Sequence, residues 1–109
     1  MGKAENSITR AVMAYLTMHG GHVVRVQSGS FAVGTAYVRG AEPGTADLIG
    51  VFRGRAIAVE VKTPKGKQSP SQIAWSERWR ASGGIYLVAR GIDDVQGLLE
   101  LRQDRKSTR

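Results

Sequence analysis

A chain of 109 residues suits one domain with a modest core. It holds no cysteine, which excludes disulfides and thiolate metal sites. Sixteen basic residues against nine acidic ones leave a formal net charge of +7; such a balance points to a polyanionic partner, although some small soluble proteins are simply basic. No run approaches membrane-spanning length, and the opening MGKAENSITR lacks the apolar core of a signal peptide. A soluble, cytoplasmic protein with no membrane contact is expected.

Residues 4–19 predict a helix. Ile8, Ala11, Val12, Tyr15 and Leu16 form an apolar stripe at helical spacing, and Gly20-Gly21 supplies the stop. Glu5 stands at the start and in line with the stripe. It either favours the helix N-terminal turn or points toward a polar site. HVVRVQ, residues 22–27, predicts a strand. His19 and His22 have no ligand-like spacing and read as structural or solvated. Residues 28–46 are rich in glycine, and SFAVGTAYVRG within them reads as a short hairpin or a mobile loop. Phe31, Tyr37 and Arg39 there either touch nucleic acid or pack as a flap.

Residues 44–62, GTADLIGVFRGRAIAVEVK, carry the chemistry. Two β-rich runs around a Gly-containing turn predict a hairpin. A two-residue Arg53-Gly54 loop would pair Phe52 with Arg55 and set Asp47 opposite Glu60. Directly opposed side chains lie about 5 Å apart at Cβ. Glu60 and Lys62 share one face of their strand, while Ile57, Val59 and Val61 take the other. Facing carboxylates repel unless a cation lies between them, and a hard divalent ion such as Mg²⁺ takes such oxygen ligands. A plain Glu60–Lys62 salt bridge is the competing reading.

TPKGKQSP follows as a basic turn with Lys65 and Lys67. The next helix begins at a capping box, with Ser69 as N-cap, Pro70 at the first position and Gln72 at N3. Ile73, Trp75 and Trp79 follow, the tryptophans expected in the core, and Gly83-Gly84 ends the helix. Gln72 either serves the cap alone or also faces the site. IYLVAR, 85–90, predicts a buried strand; GIDDVQGLLELRQ predicts a final helix; DRKSTR, 104–109, predicts a frayed basic tail. The sum is an α/β fold, a central mixed sheet flanked by helices, in one domain over residues 1–109.

In this order the residues resemble the PD-(D/E)XK nuclease superfamily. The segments ENSITRAVMAYLTMHGGHVVRVQSG, GTADLIGV, AVEVK and SPSQIAWSERWRASGGIYLVAR are most similar to a stand-alone VRR-NUC domain of the virus or phage type. Ala46 stands where the superfamily places a proline, and Gln27 where relatives often carry asparagine. The resemblance implies a restriction-endonuclease-like fold and an endonuclease dependent on Mg²⁺ or Mn²⁺. Asp47, Glu60 and the Val61 carbonyl would hold the metal. Lys62 would orient the attacking water and stabilise developing charge, with Glu5 and Gln72 around this centre. Lys65, Lys67 and Arg39 would contact DNA. Similarity to Holliday-junction resolvases further implies a homodimer acting on four-way junctions in a bacterial or phage-infected cell. Its face would lie on helix 69–82 or on segment 30–40. A flap- or duplex-cutting enzyme of the same superfamily is the nearest alternative, and a basic DNA-binding module without catalysis the next.

Overall fold

The computed structural model describes residues 3–28 and 30–101, the side chains of 30, 31, 38 and 39 excepted. The expected tail 104–109 and the side chains of Phe31 and Arg39 therefore lie outside the described residues.

The chain runs α1 (Lys3–Met18), β1 (His22–Arg25), β2 (Ser30–Val33), β3 (Ala36–Arg39), β4 (Leu48–Phe52), β5 (Arg55–Val61), α2 (Pro70–Ala81) and β6 (Ile85–Ala89), then two 3₁₀ turns at Ile92–Asp94 and Gln96–Glu100. One mixed four-stranded sheet has the order β1-β4-β5-β6. The β1–β4 and β4–β5 pairs are antiparallel, whereas β5 and β6 are parallel across α2.

Alternation along β5 sorts the two faces. Ile57 and Val59 are fully buried with Leu48, Phe52 and the α1 residues Val12 and Leu16, and Val95 and Leu98 close that cluster. Ala58 belongs to a second cluster with Ala46, Trp75 and Tyr86 beneath α2. Trp75 and Trp79 stack with ring centroids 5.1 Å apart, and the Trp79 indole N–H donates to the Ile85 carbonyl at 2.9 Å. The tryptophans are thus part of the packing, as the pattern implied.

The central hairpin has the expected register, with Phe52 opposite Arg55. Arg53 and Gly54 both take positive φ, 52° and 75°. That is the turn whose twist matches the flanking strands, even though arginine is a poor residue for it. Arg53 is anchored elsewhere: its guanidinium donates to the Leu99 and Leu101 carbonyls at 2.6 and 3.0 Å.

Two expectations change. The final segment is two 3₁₀ turns and no α-helix. Gly97 and the Asp93-Asp94 pair disfavour a continuous helix, and Asp94 instead accepts the Arg90 backbone N–H at 2.7 Å. Val95 and Leu98 lie three apart, the 3₁₀ period, and both are buried. The strand predicted at 22–27 stops at Arg25. Segment 30–40 takes the hairpin form, one of the two expected for it, as the antiparallel pair β2–β3, and its described side chains, residues 32–37, are exposed, Tyr37 at 82% and Val33 at 56%.

Candidate active site

The β4–β5 ladder ends at Leu48 opposite Val59, so Asp47 and Glu60 meet just beyond it, as the sequence register placed them. Their environments differ. The Asp47 carboxylate accepts the Val61 backbone N–H through Oδ2 at 2.7 Å. Glu60 is buried, only 3% exposed. Its Oε2 accepts from Gln72 Nε2 at 2.9 Å and lies 3.7 Å from Lys62 Nζ. Its Oε1 is buried with no hydrogen-bond partner in the structure.

That atom is where the site does not close on itself. An unpaired buried carboxylate oxygen costs free energy comparable to a lost hydrogen bond or more. Burial, and then the charge of Asp47, push the Glu60 carboxyl up to about 8, against the opposing pull of Lys62. Without a further cation, burial and Asp47 thus favour the protonated carboxyl, against Lys62 at 3.7 Å. A cation between the two carboxylates would ionise Glu60 and give Oε1 a partner.

The backbone adds a third oxygen. The Lys62 N–H donates to the Ala89 carbonyl at 2.9 Å, so Lys62 faces β6. Successive residues of a strand alternate their polar groups between neighbours, which turns both the N–H and the C=O of Val61 toward Asp47. Asp47, Glu60 and the Val61 carbonyl thus lie at one end of the central β4–β5 pair, with hard oxygen donors suited to Mg²⁺ or Mn²⁺.

Gln72 fills both roles that the sequence offered. Its Oε1 accepts the Ser69 backbone N–H at 2.8 Å while Ser69 Oγ accepts the Gln72 N–H at 3.2 Å, completing the capping box. Its Nε2 points the other way, to Glu60. One side chain ties the helix start to β5. Gly44, at φ +93°, seats the preceding loop against this point, since a Cβ there would strike the Ser71 carbonyl.

Glu5 sits in the first turn of α1, and its carbonyl accepts from Thr9 Oγ1 at 2.7 Å. Among the described residues no three histidine, aspartate or glutamate side chains group closely enough to hold one ion, so Glu5 does not join Asp47 and Glu60 in one ligand set. Lys65 and Lys67 are exposed on the loop beyond β5, whose Gly66 N–H closes a turn onto the Thr63 carbonyl at 3.0 Å. Arg39 contributes its backbone to β3.

Sequence reasoning missed two features. Tyr86 lies opposite Ala58 on the Glu60 face, and its hydroxyl accepts from Gln68 Nε2 at 3.1 Å. Burial, then the Glu60 charge, push its phenol up to about 12. A cleft of about 570 Å³ also opens beside Asp47, lined by Arg25, Val26, Gln27 and Ser28. The parallel register needed for the first was not readable from local pattern, and the cleft belongs to no single segment.

Comparison with known proteins bears on the family and the fold. The profile of the VRR-NUC domain family matches residues 12–93. One similar solved structure, described as "VRR_NUC domain", superposes with a TM-score of 0.66 at 24% identity, covering 91% of this chain and 97% of that one. Another, "VRR_NUC domain protein", gives 0.60 at 18% identity, covering 92% and 88%. No curated protein matches.

Proposed function

Because the chain belongs to the VRR-NUC domain family, a family of nucleases, we propose that it is a metal-dependent DNA endonuclease that hydrolyses phosphodiester bonds at the Asp47–Glu60–Lys62 edge. The observation that carries this reading is the buried, unpartnered Oε1 of Glu60 facing a second carboxylate. Asp47, Glu60 and the Val61 carbonyl would hold Mg²⁺ or Mn²⁺. When bound, the ion would lower the pKa of water and neutralise phosphate charge.

The chain's own groups do the remaining work. Gln72 holds the Glu60 carboxylate through Nε2, and the Val61 N–H holds Asp47. Lys62, half-buried at this edge, places its ammonium where charge grows on the phosphate oxygens and on the attacking oxygen. In hydrolysis the water oxygen bonds to phosphorus and loses a proton, while the P–O bond to the leaving sugar oxygen breaks and that oxygen takes up a proton. Lys65 and Lys67 would contact flanking phosphates, and Glu5 would act through water at the rim.

A four-way junction is the substrate that the resemblance to Holliday-junction resolvases favours. A two-fold homodimer would match its two symmetric cuts, in the cytoplasm of a bacterial or phage-infected cell. Among the described residues no helix is long and apolar enough to cross a membrane.

The test incubates the protein and Lys62→Ala with a labelled four-way junction and a matched duplex, in Mg²⁺, Mn²⁺ or EDTA. Metal-dependent nicking near the branch, reduced at least about 100-fold in the variant, is the expected result. Equal cutting of the duplex would remove the junction preference. Full activity of Lys62→Ala would remove the mechanism.

A further inference from the structure

Arg90 stands beside Lys62. The parallel ladder sets Glu60 opposite Val88 and Val61 opposite Ala89. The Lys62 N–H donates to the Ala89 carbonyl at 2.9 Å, which carries the ladder one step further and brings Lys62 level with Arg90. Neighbouring strands lie about 4.8 Å apart. The step just beyond Glu60 and Val88 is therefore occupied by two cations.

Gly66, in the loop after β5, meets both side chains. Its carbonyl accepts from the Arg90 guanidinium at 2.7 Å, and a Cβ on it would come 3.4 Å from Lys62 Cδ. The two cations differ in what else surrounds them. The Lys62 side chain is only 14% exposed and lies 3.7 Å from Glu60 Oε2. Arg90 is exposed, and among the described residues no carboxylate comes within ion-pair distance of its guanidinium. Asp94 accepts from its backbone N–H instead. The Arg90 charge is thus held in place by a neutral oxygen and left without a counter-ion. A guanidinium bears five N–H donors in a rigid fork that matches a phosphate, more than one carbonyl can use.

From this pair we infer that Arg90 is a phosphate-binding residue, holding a phosphate of the cut strand beside the one that Lys62 meets. The inference rests on the nuclease reading above and extends its substrate path from β5 onto β6. The bond to Gly66 also fastens the loop that carries Lys65 and Lys67. If fastening were its whole role, Arg90 would affect DNA only through those lysines, and that difference is measurable.

The salt dependence of DNA binding tests it. Binding of a fluorescein-labelled duplex is followed by anisotropy in EDTA over a series of KCl concentrations. Each phosphate contact adds about one unit to the slope of log K against log salt. Arg90→Ala should lower the slope by about one, both in the parent chain and in a Lys65→Ala/Lys67→Ala background. Arg90→Lys should restore it, because lysine keeps the charge. Arg90→Gln keeps N–H donors without the charge and should match Arg90→Ala. Arg55, at the other end of β5 and about 20 Å away along the strand, is the control. Arg55→Ala should leave the slope unchanged.

An unchanged slope in Arg90→Ala would overturn the inference while leaving nuclease activity of the parent chain intact. A fall that disappears in the Lys65→Ala/Lys67→Ala background would do the same, since Arg90 would then act only through the loop. So would an equal fall in Arg55→Ala, because net charge alone would explain it. A parent chain that neither binds nor cuts DNA would instead overturn the nuclease reading, and the phosphate contact with it. Circular dichroism of each variant checks that the fold is kept.

Discussion

Glu60 is where burial and function pull against each other. An acid with an ordinary value of 4.5 sits here at about 8. Between those two values the folded chain holds a proton that the unfolded chain has lost. Stability should therefore fall as pH rises through this window and level off above it. Glu60→Gln removes the titration, so thermal melts in EDTA should show a flatter profile and a gain for the variant that is largest near the alkaline end. Parallel profiles for parent and variant would sink the assignment. Gln72 poses a second question at this scale, because one side chain both caps α2 and holds Glu60. Ser69→Ala removes only the cap and should cost about 1 kcal/mol in urea denaturation. It should leave metal-dependent cleavage close to parent. Gln72→Ala should cost at least as much stability and lower cleavage too. The residues Asp47, Glu60, Lys62 and Gln72 were all legible in the sequence, because hairpin register and capping rules are local. The burial of Glu60 was not, since α2 and β6 cover it from elsewhere in the chain.

The elements hold these residues through close approaches that only glycine allows. Gly44 takes φ +93° with the Ser71 carbonyl against the place where a Cβ would stand. Gly44→Ala should destabilise by on the order of 2 kcal/mol or more, combining left-handed strain with overpacking. It should also loosen the start of α2, so cleavage should fall with stability. A variant with parent-like urea midpoint would show that the loop is not seated as described. Gly50 plays the corresponding part within the sheet, where a Cβ would strike the His22 carbonyl of β1. α1 follows the apolar periodicity of the sequence, whereas α2 buries Trp75 and Ser76 and leaves Ile73 exposed, and β5 is buried on both faces. The segment after β6 departs from that periodicity. There the spacing of Val95 and Leu98 fits either helix type, and Gly97 with the Asp94–Arg90 bond tips the choice to 3₁₀.

In the whole molecule, the β2–β3 hairpin is outside the four-stranded sheet, with Tyr37 and Val33 exposed. Ser28 and Ala41 bridge at its base, so the chain already returns on itself there. Replacing 30–39 by a short Gly-Ser loop should leave the melting temperature within a few degrees, since residues 32–37 are all exposed. A collapse of the fold would show that the hairpin supports the core. If the same deletion weakens junction binding while duplex binding persists, the hairpin belongs to the substrate surface.

The sequence by itself determined the order of the two helices and four main strands, the hairpin register and the pairing of Asp47 with Glu60, because each follows from spacing within a few dozen residues. Only the tertiary structure decided that β6 runs parallel beside β5 and that α2 closes over Glu60. Those relations depend on strand order across the sheet, and strand order is set by burying two apolar faces at once.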